Sequence, residues 1–165
     1  MYTIISATNR KGSKSLHVAH QYKKILQERG IEAQLVSLEK FDPLSDKEII
    51  IQLGENILLP SLKLLFIVPE YNGSFPGVLK VLIDLLPREV WKNKKAALVG
   101  VASGRAGNLR GIEHLMSVLH YIGLTILPQN IYLSKVENLM NEHMQIINTL
   151  TLQDMYDQVD AFIQF

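Results

Sequence analysis

Short apolar runs that lack polar alternation recur along the chain, and each is followed by a segment with helical spacing. These runs occupy residues 2–7, 33–38, 62–68, 96–102 and 126–133. Strands without alternation are covered on both faces, and helical crossovers between them make the sheet parallel. The pattern therefore predicts an α/β fold, a doubly wound five-stranded parallel sheet with helices on both faces. The length of 165 residues favours one domain over residues 1–165.

The segments between the runs repeat apolar residues at every third or fourth position, as amphipathic helices do. Pro87 and Gly123 end two of them, because proline cannot continue a helix and glycine adopts the left-handed conformation that follows one. Pro128 interrupts the last strand. Helices are predicted over residues 16–30, weakly over 46–53, over 78–86 and 109–122, and from about Glu137 to the end.

Composition excludes several functions. The 17 basic residues are matched by 16 acidic ones, so the chain lacks the basic excess that supports nucleic-acid binding. With no cysteine it cannot form a disulfide, a thiolate nucleophile or a cysteine-ligated metal centre. Its most apolar stretch, residues 57–68, is interrupted by Pro60 and Lys63 and is shorter than a membrane span. Because the first residues also lack a charged signal-peptide start, we expect a cytoplasmic protein with neither nucleic acid nor a membrane as partner.

The loop after the first predicted strand, residues 6–15, carries hydroxyls, a guanidinium and the free N–H groups of a helix start. These groups suit a phosphate monoester. The loop matches neither the Walker pattern nor the three-glycine dinucleotide pattern. The alternative is structural: Ser13 or Ser15 caps the helix, and Arg10 is solvated.

Two further loops are expected at the same edge of the sheet, where ligands bind in such folds. Residues 69–77 form a rigid turn in which Tyr71 and Asn72 offer an aromatic wall and an amide to a flat ligand, or simply an ordinary connection. The small residues of 103–108 allow close backbone approach and present N–H groups at a helix start. Lys80 and Asp84, one turn apart, are interpreted as a surface ion pair.

Together these motifs resemble those of the flavodoxin-like NAD(P)H-dependent FMN reductases, which include quinone, azo-dye and chromate-reducing members. Residues 7–13 are similar to that family's phosphate loop, with Ala7 in place of the usual glycine. The most specific match is Pro-Glu-Tyr-Asn-Gly at 69–73, followed by Lys80 and Asp84 in the next helix. The third loop is similar as well, although Arg105 stands where many relatives have glycine.

The resemblance implies bound FMN, with NADPH or NADH as electron donor and a small acceptor such as a quinone, an azo dye, a metal oxyanion or free flavin. It implies no catalytic side chain and no metal, because the flavin carries the chemistry. It also implies a homodimer or a dimer of dimers, and both helices after the second and third loops have more apolar positions than one core-facing stripe requires. The residues implied to bind the cofactor are Thr8, Arg10, Ser13, Ser15, Pro69, Glu70, Tyr71, Asn72, Ser103, Gly104, Arg105 and Gly107.

Two other functions remain open. An electron-carrier flavodoxin would bind FMN without using NAD(P)H, although such carriers are usually acidic and this chain is balanced. A cofactor-free binding protein on the same fold is the other alternative. His17 and His20 lie one turn apart but lack further metal ligands, so we interpret them as surface or dimer-facing residues. Trp91 lies near the flavin or, more commonly for such a residue, covers the edge of the core.

Overall fold

The computed structural model describes residues 1–42 and 47–165 of the protein. The strands are β1 (Tyr2–Ser6), β2 (Ala33–Ser37), β3 (Lys63–Pro69), β4 (Lys95–Val101), β5 (Thr125–Ile126) and β6 (Ile131–Leu133). Within the described residues, all pairs of these strands are parallel, and the sheet has the order β2-β1-β3-β4-β5 with β6 also paired to β4. The expected doubly wound parallel fold is confirmed, and the last strand is divided in two.

Helices cover both faces of the sheet. They are α1 (Lys14–Glu28), α2 (Lys47–Leu53), α3 (Gly77–Leu85), α4 (Leu109–Tyr121) and α5 (Thr149–Gln164), with shorter helical turns at Gly54–Leu58, Arg88–Val90 and Val136–Leu139. One face of the sheet packs against α1 and α5, and the other packs against α2, α3 and α4. The weak second helix is confirmed from Lys47, while Asp46, at which it was expected to begin, lies outside the described residues.

The central position of β3 in the sheet explains why the sequence of this strand is apolar without polar alternation. Phe66 contributes to the core on the α3 side, while its neighbours Leu65 and Ile67 contribute to the core on the α1 side. Both faces of the strand are therefore buried. Its pairing with β4 runs without interruption from Lys63 opposite Lys95 to Pro69 opposite Val101, so that the two strands end side by side.

The prediction of a final helix from about Glu137 is wrong, because α5 begins only at Thr149. Residues 140–146 form a small hairpin closed by a bridge between Met140 and Ile146. Gln21 of α1 holds that hairpin: its amide donates to the Ile146 carbonyl at 2.9 Å and its oxygen accepts from the Ile146 N–H at 2.9 Å. The apolar residues that suggested a helix pack against α1 as a hairpin instead.

Pro128 divides the outer strand, as expected, and the gap is filled by a side chain. Between the paired positions Ala96–Ile126 and Val99–Ile131, the outer strand advances five residues while β4 advances three. The Leu98 carbonyl accepts a hydrogen bond at 3.1 Å from the amide of Gln158, a fully buried residue of α5. That amide also donates to the Gln129 carbonyl at 2.8 Å.

We predict that Gln158→Leu lowers the free energy of unfolding by about 1–3 kcal/mol, because it leaves buried polar groups without partners. These groups include the Leu98 carbonyl and the hydroxyl of Tyr22, which donates to the Gln158 oxygen at 2.8 Å. Urea unfolding monitored by circular dichroism measures the change. Gln153→Leu, on the exposed face of the same helix, is the matched control and should change stability by less than about 0.5 kcal/mol.

Candidate active site

A cavity of about 310 Å³ lies at the carboxyl edge of the sheet, where the loops after β1, β3 and β4 meet. Its volume is at the lower end of the range for small-molecule sites. A groove along α1, lined in part by His17, His20 and His143, is larger at about 530 Å³ but does not contain those loops. The cavity is lined by Arg10, Lys11, Gly12, Ser13, Lys14, Ser15, Pro69, Glu70, Tyr71, Val101, Ala102, Ser103, Val136 and Met144.

The first wall of the cavity is the loop that leads into α1. Ser13 is the N-cap of this helix, and its hydroxyl accepts from the Leu16 N–H at 3.3 Å, so the capping alternative holds for Ser13. The loop presents the cations Arg10, Lys11 and Lys14 at the positive end of the helix dipole. This combination of cations, hydroxyls and N–H groups fits a phosphate monoester.

Arg10 is not simply solvated, because it is stacked on the second loop. Its guanidinium carbon lies 4.0 Å from the centre of the Tyr71 ring, a cation–π distance. The Tyr71 hydroxyl is hydrogen-bonded to the Thr8 hydroxyl, which also accepts from the Arg10 N–H at 3.2 Å. The loop after β1 and the turn after β3 are therefore joined directly.

The second wall is a tight turn over residues 71–74. The Tyr71 N–H donates to the Ser74 carbonyl at 2.8 Å, and the Ser74 N–H donates back at 3.1 Å. Asn72 and Gly73 take φ values of 52° and 76°, which suits asparagine and glycine in such a turn. Asn72 is exposed at the tip of the turn and is not part of the cavity wall.

The third wall is the loop between β4 and α4, which is held against β3 by the Asn108 side chain. This buried residue has a φ of 70°, and its amide donates to the Val68 carbonyl of β3 at 2.9 Å. Gly107 has a φ of 58° and lies against Tyr132. A Cβ atom added at Gly107 would lie only 2.7 Å from the carbonyl carbon of Tyr132, so there is no room for a side chain at this position. Of the third loop's predicted site residues, Ser103 lines the cavity.

The cavity thus brings together seven of the sequence-predicted residues. Thr8 is buried and does not line the cavity, but its hydroxyl is hydrogen-bonded to that of Tyr71, which does. Gly104 and Arg105 are exposed and do not line the cavity. Among the residues that sequence reasoning missed, Lys14 had a visible signal as a cation at the first position of the helix. The seven are Arg10, Ser13, Ser15, Pro69, Glu70, Tyr71 and Ser103.

Glu137 is a further missed residue, and it ties two of the walls together. Its carboxylate oxygen Oε1 accepts from the Lys14 ammonium and, at 2.6 Å, from the Ser103 hydroxyl. These bonds, led by the one from Lys14, lower the pKa of Glu137 from 4.5 to about 2. Its segment is fixed by backbone bonds from Lys135 to Gly104 at 3.0 Å and from Val136 to Ala102 at 3.1 Å.

The profile of one protein family, described as NADPH-dependent FMN reductase, matches residues 2–138. The chain belongs to this family. The resemblance stated from the sequence motifs is therefore confirmed. The lining of the cavity fits FMN chemically, because cations and hydroxyls bind phosphates and an aromatic side chain beside small residues accommodates a flat ring.

Two relatives of this chain have been named for their activities. A 2-hydroxy-1,4-benzoquinone reductase of Burkholderia sp is 31% identical over 109 residues, which are 61% of this chain and 60% of that protein. An NAD(P)H-dependent FMN reductase of Pseudomonas aeruginosa is 30% identical over 102 residues, or 59% of this chain and 55% of that one. The matched stretches thus span less than two thirds of each relative.

Solved structures agree on the fold of this chain. FerB, a flavoenzyme NAD(P)H:(acceptor) oxidoreductase from Paracoccus denitrificans, superposes with a TM-score of 0.84 at 24% identity, covering 99% of this chain and 94% of that one. An archaeal flavodoxin superposes with a TM-score of 0.59 at 12% identity, covering 99% of this chain and 98% of that one. At these identities the likeness concerns the fold, and it confirms the flavodoxin-like class.

The remaining sequence motifs lie outside the cavity. Lys80 and Asp84 form the expected exposed ion pair at 2.7 Å. Trp91 is fully buried within the core beside α3 and α4 and does not line the cavity. Across residues 1–42 and 47–165, no group of histidines and carboxylates is arranged to hold a metal ion. Among the helices described here, none combines the length and the apolar character that crossing a bilayer requires.

We predict that Gly111→Ala lowers the free energy of unfolding by about 1–3 kcal/mol, the usual cost of overpacking. A Cβ at Gly111 would overlap the Asn108 side chain and lie 2.8 Å from the Ser74 carbonyl carbon, so the second and third loops would be forced apart. Gly77→Ala is the matched control in the first turn of α3, where the new methyl group would meet no atom within 4 Å apart from its chain neighbours and the nearby helix backbone. It should be neutral or stabilising by up to about 1 kcal/mol. Equal melting temperatures for the two variants would contradict this account.

The low pKa of Glu137 makes stability depend on pH in a definite direction. Because folding lowers this pKa from 4.5 to about 2, the ionised carboxylate stabilises the fold above pH 4.5, and that contribution is lost as the pH falls towards 2. Glu137→Gln should therefore lower the melting temperature at pH 7, and the difference from wild type should shrink below pH 4.5. Thermal unfolding at several pH values measures this, with Glu32→Gln as an exposed control. A difference that stays constant with pH would refute the prediction.

Proposed function

We propose that the protein is an NAD(P)H-dependent FMN reductase, an oxidoreductase that transfers reducing equivalents from NADPH or NADH through FMN to a small acceptor. The observation that carries the proposal is the stacking of Arg10 on Tyr71. It joins a phosphate-type loop to a Pro-Glu-Tyr-Asn turn in one cavity, in a chain that belongs to the FMN reductase family. A phosphate-binding end and a wall for a flat ring are the two parts that an FMN site requires.

The proposed binding roles divide between the two ends of the cavity. Arg10, Ser13 and Ser15 are proposed to hold the FMN phosphate by charge-assisted hydrogen bonds, with Thr8 orienting the loop. The ring end is proposed to comprise residues 69–72 together with Ser103, Gly104, Arg105 and Gly107. Asn72, Gly104, Arg105 and Gly107 are included on family resemblance, since they do not line the cavity.

Bound FMN would supply hydride chemistry, so no side chain needs to act as a nucleophile or as an acid–base pair. The protein's part is to hold the phosphate, to orient the ring and to present polar groups where charge develops. Residues 103–108 lead into α4, whose N-terminal end favours negative charge through the helix dipole. Groups fixed in this way stabilise developing charge without reorganising.

The acceptor is proposed to be a small molecule that reaches the open side of the cavity. The Burkholderia relative is named for a benzoquinone, so quinones are the first class to test, followed by azo dyes, metal oxyanions and free flavin. We further propose one FMN-binding domain over residues 1–165 and a cytoplasmic location, with no nucleic acid or membrane as partner. The near-neutral formal charge of +1 is consistent with this.

We also propose a homodimer or a dimer of dimers built on α3 and α4. Several apolar side chains on these helices, such as Val81 and Met116, are half-buried against the core, so the apolar excess is smaller than the sequence suggested. Leu109 and Tyr121 of α4 nevertheless remain 49% and 83% exposed. Light scattering at micromolar concentration tests the proposal: a dimer or tetramer is expected, and a stable monomer of 18.7 kDa would reject it.

The proposed activity predicts that the FMN-loaded protein is reduced by NADPH or NADH without a partner protein. Anaerobic mixing should bleach the flavin absorbance, and adding a quinone should restore it. A protein that stays oxidised with both nucleotides but is reduced by dithionite would instead be an electron carrier. A purified protein that neither contains nor binds FMN would favour the cofactor-free alternative.

A further inference from the structure

Two carboxylates from distant segments accept hydrogen bonds from the loop over residues 6–15, which is called the phosphate loop below. Glu39, which follows β2, accepts at 2.5 Å from the backbone N–H of Gly12. Glu137, which follows β6, accepts from the ammonium of Lys14. Gly12 and Lys14 both line the cavity next to Arg10. The loop that is suited to one external anion is thus already engaged by two anions of the chain itself.

Each carboxylate is held in place by its own surroundings. The backbone N–H of Glu39 donates to the Ser37 hydroxyl at 3.2 Å, and the neighbouring Leu38 N–H donates to the Ser6 carbonyl at 3.1 Å. Glu137 is fixed by the Ser103 hydroxyl at 2.6 Å and by the backbone bonds of the two residues before it. These contacts belong to the fold and place both carboxylates beside the loop.

Gly12 and Lys14 line the same wall of the cavity as Arg10, Ser13 and Ser15, so a phosphate bound there would also draw on the donors that the two carboxylates occupy. A backbone N–H that points at a carboxylate oxygen cannot donate fully to a phosphate oxygen as well. Lys14 is already neutralised by Glu137, so its attraction for a second anion is reduced. Because Lys14 and Glu137 are 33% and 43% exposed, solvent screens their interaction and it remains modest. A ligand can therefore displace the carboxylates, at a cost in affinity.

We propose that Glu39 and Glu137 are counter-anions of the phosphate loop, which hold its donors when FMN is absent and compete with the FMN phosphate. The inference rests on the proposed use of FMN. It implies that the loop binds FMN less tightly than its cations and N–H groups alone would allow. It also implies that the competition concerns the phosphate alone, since riboflavin lacks the anion that the carboxylates oppose.

The experiment titrates the apoprotein with FMN and separately with riboflavin, following the quenching of flavin fluorescence. Glu39→Gln and Glu137→Gln should each tighten FMN binding roughly fivefold, the size expected for a half-exposed charge interaction. FMN dissociation should slow in proportion, and riboflavin affinity should change less than about twofold. The double variant should approach a gain of roughly 25-fold, because the two carboxylates act on separate donors.

The matched control is Glu32→Gln, which changes the net charge equally. Glu32 is exposed and precedes β2, so it lies at the opposite edge of the sheet from the cavity. This variant should leave FMN affinity within twofold of wild type. A comparable gain in it would mean that overall charge, and not competition at the loop, sets the affinity, and would overturn the proposal.

Unchanged or weaker FMN binding in Glu39→Gln and Glu137→Gln would also overturn the inference while leaving the proposed function intact. Equal gains for FMN and riboflavin would overturn it too, because the effect would then not concern the phosphate. A wild-type protein that binds neither flavin would contradict the proposed function itself. If Glu137→Gln fails to fold, Glu39→Gln still decides the matter, since its carboxylate bonds a different donor from another segment.

Discussion

The site depends on the uninterrupted parallel register between β3 and β4. Seven residue pairs, from Lys63–Lys95 to Pro69–Val101, bring the two strands to an end at the same level. A slip of one residue would reverse every side chain between the two faces of the sheet, which are both apolar, and would separate the two loops. The Asn108 amide, in the loop after β4, donates a hydrogen bond to the Val68 carbonyl of β3 and so holds that loop against the end of β3. The pairing of β3 with β4 therefore fixes the position of the loop after β3 relative to the loop after β4.

The strands, their order of succession and the three loops could be predicted because each leaves a local signal. The apolar run of β3 and the Pro-Glu-Tyr-Asn turn that follows it are contiguous in sequence, and Gly123 ends α4 with a φ of 96°. The segment after β6 could not be predicted, because an apolar pattern near helical spacing is also compatible with a hairpin on α1. Tertiary contacts of Gln21 with Ile146 decide between the two.

Glu39 and Glu137 escaped sequence reasoning for a related physical reason. Glu39 contacts Gly12, 27 positions away in the sequence, and Glu137 contacts Lys14, 123 positions away. No local sequence pattern indicates either contact. An acidic residue in a loop is ordinarily solvated, so neither position stands out. By contrast Arg10 and Tyr71 belong to short motifs, and their chemistry is visible before the fold is known. The motif residues can be singled out from the sequence as candidates for ligand binding, whereas the two carboxylates that contact their loop become visible only in three dimensions.

The divided outer strand has a consequence for how copies of this protein can meet. An exposed sheet edge normally invites another strand to add to it, which leads to uncontrolled association. Here the edge beyond β4 is made of pieces only two and three residues long, separated by Pro128 and plugged by Gln158. No straight row of free N–H and C=O groups extends along this edge of the described chain. Self-association through a continuous intermolecular sheet is therefore disfavoured at this edge, whatever surface the protein uses elsewhere.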